Sequence, residues 1–124
     1  MKNDMTFGSF NFKQYGDIVK DGRTLFSVRI ANTWWSRLRG LLAYPPLQSG
    51  EALLLCPCSA VHGVGIGYPL DLAFVDRQGK ILKCCPLHRW SMAMHSGAYA
   101  VLEMPRGSIE HYALQPGQLI EVLS

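Results

Sequence analysis

The sequence lacks several features that would assign it at once to a class of protein. Only 17% of its 124 residues are charged, compared with about a quarter in an average globular chain. No apolar run approaches the roughly 18 residues of a membrane-spanning helix. The N-terminus mixes charged, amide and aromatic residues without a continuous apolar stretch, so no signal peptide is indicated. We therefore expect no membrane span, and the cytoplasm is the default location.

The motifs of the common hydrolases are missing as well. No serine lies in a nucleophile elbow, no HExxH motif is present, and no pair of carboxylates stands out for acid–base catalysis. The sequence therefore favours a non-enzymatic protein without a cofactor. The net charge of +3 comes from scattered lysines and arginines, and such scatter does not indicate the basic stripe of a nucleic-acid-binding protein.

Short apolar segments separated by turn residues make up most of the chain. Residues 24–31 alternate apolar and polar side chains, which predicts a strand with one buried face. The pair Asp21-Gly22 predicts a tight hairpin turn between this strand and a first strand at 17–19. A second hairpin is predicted from strands at 70–76 and 80–85. Further strands are expected at 51–55, 59–64, 98–104 and 119–123.

Two short helices are predicted beside these strands. Apolar residues recur at three- and four-residue spacing after Asn32-Thr33 and before Pro45, which predicts an amphipathic helix. Residues 109–114 form the second helix, with Ser108 as its N-cap. The connections are too short for parallel crossovers, so the strands should pair mostly antiparallel.

These elements predict an α+β fold that is predominantly β. It is a compact single domain with a mostly antiparallel sheet, or partly open barrel, and two short helices. The domain spans residues 16–124, and residues 1–15 form a poorly specified N-terminal segment. With 124 residues and a hydrophobic content of 48%, the chain has room for one core.

His62 and Asp71 are the candidate catalytic residues. His62 lies in a run of small and apolar residues with three glycines, and Asp71 lies in the strand that follows. A carboxylate within reach of an imidazole orients it and raises its basicity, which suits a base or a ligand-holding group. In the alternative, structural interpretation, Asp71 accepts backbone N–H groups at a turn and His62 fills a half-buried position. We favour the structural interpretation for both residues.

The four cysteines are Cys56, Cys58, Cys84 and Cys85. Without a secretion signal they are expected to be thiols rather than disulfides. Cys84 and Cys85 are neighbours on a predicted strand and should face opposite sides of the sheet. Cys56, Cys58 and His62 are weak candidates for zinc ligands, because one residue between the two cysteines is a shorter spacing than zinc motifs use. No metal site is predicted.

Arg39 and Gly40 lie together on the first predicted helix. The guanidinium of Arg39 is expected to pair with a core carboxylate, Glu103 or Asp71, and a bidentate pair would hold the helix against the sheet. Anion binding is the alternative role for Arg39.

Residues 86–97 are predicted to form an irregular loop rich in histidine, tryptophan and methionine. His88, Trp90 and Met92 lie within it, and this composition is common at adaptable contact surfaces. The alternative is a long loop that packs its own apolar residues over the mouth of the barrel.

Several motifs occur in the order and spacing of a known family. They are Arg39-Gly40-Leu41-Leu42, Gly50 before a short apolar strand, His62 followed by Pro69-Leu70-Asp71, Phe74-Val75-Asp76, Gly79-Lys80-Ile81, residues 101–105 with Gly107, and Pro116-Gly117-Gln118. In the order and spacing of these motifs, over about residues 24–122, the chain resembles the domain of unknown function 192 family, which is also called uncharacterised protein family 0127. The resemblance implies a small β-rich α+β fold and no established reaction. Some members occur beside pilus-assembly and secretion genes, which implies an accessory role.

The chain departs from the family pattern after the histidine. Members usually carry a hydroxyl or aromatic residue there, then a methionine and a basic residue, whereas this sequence has Gly63, Ile66 and Gly67. If the family has a chemical site, this chain has lost part of it.

We therefore expect a non-enzymatic accessory module that binds a partner protein or a small ligand at the His62/Asp71 end, with a link to secretion or pilus assembly implied by the resemblance. The alternative is a small enzyme or zinc-dependent protein that uses His62 and Asp71. No nucleic acid is expected as a partner. The predicted binding residues are Arg39, Gly40, His62, Asp71, His88, Trp90, Met92 and Glu103.

Overall fold

A computed structural model describes residues 15–31, 47–63, 68–88 and 90–123 of the chain. This part is predominantly β, with nine strands and one short helix. The strands are β1 Tyr15–Lys20, β2 Arg23–Ala31, β3 Glu51–Leu55, β4 Ala60–His62, β5 Leu70–Val75, β6 Ile81–Leu87, β7 Met92–Met94, β8 Ala100–Pro105 and β9 Glu121–Leu123, and the helix, α1, is Ser108–His111. None of the described helical residues forms a helix long and apolar enough to cross a membrane.

Seven of the strands form one sheet in the order β6-β5-β8-β3-β2-β1-β9, and β4 pairs with β7 in a separate ribbon. The strands pair antiparallel except for β2 and β3, which are parallel. The prediction of a mostly antiparallel sheet is confirmed, but the prediction that no connection is long enough for a parallel crossover is wrong. Residues 32–50 join β2 to β3, and a parallel connection needs only a dozen or so residues.

Both predicted hairpins are present. Asp21 and Gly22 have φ angles of 52° and 76°, and positive φ at both central residues is what a type I′ hairpin turn requires. In β2 the alternate side chains Phe26, Val28 and Ile30 are buried. The turn chemistry and the apolar alternation therefore act together to set the β1–β2 register.

The sheet separates two hydrophobic cores. The first core lies on one face and includes Phe26, Leu54, Leu102 and Met104. The second core lies on the other face and is formed by Ala31, Leu53, Leu55, Val61, Leu70, Leu72, Phe74, Leu87, Ala93 and Val101. All six residues of β5 are buried, because the sheet is covered on both faces at this strand, and Asp71 is its one polar residue.

The helix differs from its prediction in length and in its cap. It covers Ser108–His111, shorter than the expected 109–114, and Gly107 at its start has a φ of 95°. The Ser108 hydroxyl donates to the Pro105 carbonyl at 2.6 Å, so Ser108 is not the N-cap. Asp71 supplies the acceptor for the helix N-terminus instead, from a strand distant in sequence.

The first predicted helix, with Arg39 and Gly40, falls on residues 32–46, outside the described residues. The predicted loop at 86–97 contains a strand, β7, that pairs with β4. A three-residue strand such as Met92–Met94 is too short to show a measurable alternation, which is why the sequence did not indicate it.

Candidate functional site

The ribbon formed by β4 and β7 covers the second core. Val61 and Ala93 face each other across the ribbon, are 8% and 9% exposed, and belong to the second core. Because side chains alternate along a strand, the residues on either side of them point outward. The outward pairs are Ala60 with Met94 and His62 with Met92, and all four are exposed.

The outer face of this ribbon carries large apolar side chains in contact with solvent. Met92 and Met94 are 67% and 56% exposed, and Trp90 in the preceding turn is 69% exposed. We call Ala60, His62, Trp90, Met92 and Met94 together the ribbon surface. Single exposed apolar residues are ordinary, whereas several together mark contact sites.

Polar contacts hold the ribbon in place. The Ser91 side chain accepts from the His88 N–H at 3.0 Å and donates to the His88 carbonyl at 2.7 Å. The Gly63 N–H donates to the Ser91 carbonyl at 2.7 Å. Lys83 of β6 donates from Nζ to the Met94 carbonyl at 3.1 Å. These hydrogen bonds connect the turn to both strands of the ribbon and connect the ribbon to the sheet. The exposed apolar side chains therefore project from a backbone that is held in place.

The two sequence segments that contain the strands of the ribbon carry positive charge and no acidic side chain. Residues 77–102 contain Arg77, Lys80, Lys83 and Arg89 and no aspartate or glutamate. Residues 52–70, which contain β4, have no charged side chain other than the imidazole of His62 when protonated.

Asp71 lies on the other side of the sheet. Its neighbours Leu70 and Leu72 pack in the second core, so its own side chain points to the first-core face, where its paired residue Met104 packs. Asp71 Oδ2 accepts the N–H groups of Gly107 at 3.0 Å and Ile109 at 2.9 Å.

Arg106 completes the surroundings of Asp71, with 3.8 Å between Arg106 Nε and Asp71 Oδ1. These contacts match the structural interpretation of Asp71, in which a carboxylate accepts orphan N–H groups at a helix start. The sheet separates Asp71 from the ribbon that carries His62. The structure therefore does not bring the two candidate catalytic residues together.

Glu103 lies on the second-core face of the sheet, between Leu53 of β3 and Leu72 of β5 in the strand register. It is 2% exposed, and burial raises its pKa from 4.5 to about 8. Within the described part of the chain, neither its Oε2 atom nor the buried hydroxyl of Tyr68 has a hydrogen-bond partner. Burial, followed by the charge of Glu103, raises the pKa of Tyr68.

Sequence reasoning missed Tyr68 and Arg106. Arg106 lies near Asp71 because β8 pairs with β5, and this pairing joins residues that are distant along the chain. The only available signal for Tyr68 was a hydroxyl next to the buried strand β5.

The four cysteines are thiols and none is part of a disulfide. Cys84 packs against the first core and Cys85 against the second, which confirms that they face opposite sides of the sheet. Burial, with smaller effects of Cys85 and Asp71, raises the pKa of Cys84 to about 11, so its reactive thiolate form is scarce. Among the residues that the structure describes, no three histidine, cysteine or acidic side chains are grouped closely enough to hold a metal ion.

A family model for an uncharacterised conserved region, DUF192, matches residues 17–122. The chain belongs to the DUF192 family. No activity is established for the family by this description. No curated protein matches the chain.

Two solved structures share the fold of this DUF192 protein. One is a putative transcription regulator from Sinorhizobium meliloti 1021, with 19% identity, a TM-score of 0.75, and coverage of 87% of this chain and 92% of that chain. The other is a protein of unknown function from Novosphingobium aromaticivorans DSM 12444, with 19% identity, a TM-score of 0.72, and coverage of 86% and 83%. At this identity the similarity concerns the fold alone.

Proposed function

We propose that this DUF192 protein is a non-enzymatic module that binds a partner protein through the ribbon surface. The observation that supports the proposal is the exposure of Trp90, Met92 and Met94 at 69%, 67% and 56% within five residues. Tryptophan and methionine are enriched at the centres of protein interfaces, and methionine adapts its shape to different partners. An apolar surface of this kind on a fixed ribbon is suited to contact rather than to catalysis.

The partner segment we infer is acidic and carries an apolar anchor. Lys83 of β6 lies next to the ribbon, with its Nζ bonded to the Met94 carbonyl, and no acidic residue occurs between positions 77 and 102. A negatively charged segment would therefore meet favourable charge at the rim while its apolar side chain packs on the methionines. His62, opposite Met92, and His88, in the adjoining turn, keep the binding roles predicted for them.

Selection of peptides tests this function directly. Random twelve-residue peptides displayed on phage are selected on the wild-type protein, and synthetic versions are titrated by fluorescence anisotropy. We expect enrichment of peptides in which aspartate or glutamate flanks a leucine, phenylalanine or tryptophan. Their affinity should fall as salt is raised, because the rim charges are exposed to solvent.

Paired variants locate the contact. In the double variant Met92→Ser/Met94→Ser the dissociation constant should rise at least about tenfold, since tenfold corresponds to about 1.4 kcal/mol and truncating a residue at the centre of an interface that dominates binding costs about 2 kcal/mol or more. Leu119→Ser is the matched control, because Leu119 is 60% exposed and lies outside the ribbon. Enrichment of neutral or basic peptides, or equal affinity in the double variant and the control, would contradict the proposal.

The link to secretion or pilus assembly stays a prediction from the family resemblance. Affinity for a peptide would define the chemistry of the partner and leave its pathway to a separate experiment.

A further inference from the structure

The outer face of the ribbon carries one imidazole and two thioethers side by side. His62 of β4 lies directly opposite Met92 of β7 in the strand register, and Met94 follows two residues later in β7. Alternate residues of a strand share a face, and all three side chains are exposed. They therefore project from the same side of the ribbon into solvent.

The hydrogen bonds of the ribbon show that His62 and Met92 form a close pair. The Gly63 N–H donates to the Ser91 carbonyl at 2.7 Å, so the hydrogen-bonded position lies beside the His62–Met92 pair. The two kinds of position alternate along an antiparallel ribbon, and at the non-hydrogen-bonded kind the Cα atoms are only about 4.5 Å apart. The side chains of His62 and Met92 therefore start from the closest spacing that a ribbon provides.

Met94 is within reach of the same point in space. It lies about 7 Å from Met92 along the strand and diagonally across from His62, a separation of roughly 7–8 Å that long side chains span. Methionine is unbranched and has three rotatable bonds. Its sulfur can therefore approach an ion held between His62 and Met92 without any change in the backbone.

We propose that His62, Met92 and Met94 form a surface site for copper(I), a soft monovalent cation. Thioether sulfur is a soft ligand of the kind that selects Cu(I), and imidazole also suits copper. Two sulfur atoms and one ring nitrogen converge on the ion from the ribbon. The inference goes beyond the protein partner proposed for the ribbon surface and does not depend on it.

The ligand types exclude the common divalent ions from this site. Residues 52–70 and 77–102 contain no aspartate or glutamate, and Ca²⁺ and Mg²⁺ require oxygen ligands. Zinc takes thiolate, imidazole and carboxylate ligands, and among the described residues no three side chains of these types form a group. Of the zinc ligands considered from the sequence, only His62 takes part in the copper site.

The local charge also favours a monovalent ion. Lys83 donates from Nζ to the Met94 carbonyl at 3.1 Å, so a positive charge lies beside the ribbon. Coulomb repulsion is proportional to the charge of the ion, and Lys83 therefore repels a divalent cation twice as strongly as it repels Cu(I).

Methyl resonances of the methionines test the site directly. Protein labelled with carbon-13 in its methionine methyl groups is titrated with silver(I) nitrate in chloride-free buffer, because Ag(I) shares the soft monovalent chemistry of Cu(I) and is stable in air. The signals of Met92 and Met94 should shift together, whereas that of Met104, which is 0% exposed, should not. Cu(I), added as its acetonitrile complex under nitrogen, should shift the same two signals, and zinc(II) sulfate should shift neither.

The thiols need a control because they also bind soft ions. The titration is repeated in Cys58→Ser/Cys84→Ser/Cys85→Ser, which leaves only Cys56, and that residue is 0% exposed. One equivalent of Ag(I) should saturate the two methyl signals in this background. In the wild type the same two signals should shift once the thiols are saturated, so the methyl signals identify the site even if the triple variant does not fold.

Variants of the exposed ligands locate the ion. In Met92→Leu/Met94→Leu the dissociation constant for Ag(I), measured by calorimetry in the serine background, should rise at least about tenfold, since even changes outside the ligand shell cost 10–100-fold. His62→Ala should also weaken binding at least about tenfold. His111→Ala is the matched control, because His111 is an exposed histidine of α1, and it should bind as its parent does.

Three results would overturn the proposal. They are methyl signals of Met92 and Met94 that do not move with Ag(I), equal Ag(I) affinity in the leucine variant and its parent, and an equal shift of the two signals by zinc(II). Leucine keeps the ribbon surface apolar, so loss of Ag(I) binding in that variant is separate from any loss of a peptide partner. Circular dichroism confirms that each variant is folded.

Discussion

The pH dependence of stability should be governed by Glu103. The carboxyl group is 2% exposed, and its pKa rises from 4.5 to about 8 on burial. Between these two values the folded chain holds a proton that the unfolded chain has released. The free energy of unfolding should therefore fall as pH rises from about 4.5 to about 8 and stay level above it.

The size of the effect follows from the same two values. A difference from 4.5 to about 8 corresponds to roughly 5 kcal/mol as an upper bound. Domains of this size have a free energy of unfolding of roughly 5–15 kcal/mol. Even half of the upper bound for Glu103 would therefore be a large fraction of the total stability. The melting temperature should fall by about 4 °C per kcal/mol lost.

The perturbation is Glu103→Gln, which keeps the shape of the side chain and removes its titration. Urea unfolding of the wild type and the variant is followed by circular dichroism at intervals from pH 5 to pH 9, in sodium buffers without amines. We expect the midpoint of the wild type to fall steadily up to about pH 8 and that of Glu103→Gln to change much less over the same range.

Glu110→Gln serves as the control, because it removes an exposed carboxylate and should leave the slope of the wild type intact. If Glu103→Gln retains the full pH slope of the wild type, the buried carboxyl is already ionised at neutral pH and the reasoning is refuted.

Three further predictions concern other parts of the fold. Asp71→Ala should destabilise the protein by about 1–3 kcal/mol in urea unfolding, since the N–H groups of Gly107 and Ile109 lose their acceptor, whereas replacing the exposed Asp17 should have little effect. Gly16→Ala should cost about 1–3 kcal/mol in the same assay, because its Cβ would lie 2.6 Å from the Leu123 carbonyl oxygen and would displace β9. With a pKa of about 11, Cys84 should be roughly 0.1% thiolate at pH 8. Mass spectrometry after brief iodoacetamide treatment should therefore find Cys84 unmodified in the folded protein and modified in urea. Rapid modification of Cys84 in the folded protein would contradict this prediction.

The sequence predicted those elements of the fold that depend on local chemistry. The Asp21-Gly22 pair indicated the β1–β2 hairpin because only a few residue types adopt positive φ at low cost. The strand at 51–55 was predicted with the bounds that the structure shows, since an apolar run between turn residues is a local signal. The parallel pairing of β2 with β3 was missed, because pairing partners are decided by packing over the whole sheet rather than by either strand alone.

The candidate site could be predicted only in part for the same reason. His62, Trp90 and Met92 were identified by residue type, and the structure brings them to one surface. Asp71 was identified as polar and isolated, but its role at the start of α1 depends on the return of β8 beside β5, which no local pattern records. Glu103 was expected to be a carboxylate of the core, and it is buried. Its place between Leu53 and Leu72 depends on the pairing of β8 with β3 and β5, which no local pattern shows.

The two faces of the sheet differ in how completely their polar groups are satisfied. On the first-core face, Asp71 accepts two N–H groups and lies beside Arg106, and Ser108 donates to Pro105. On the second-core face, Glu103 and Tyr68 each keep a buried oxygen without a partner, and the ribbon above leaves its methionines in solvent. Folded chains usually depart from local consistency where function requires it. Among the described residues both departures occur on the second-core side of the sheet, which is the side that carries the ribbon surface proposed for binding.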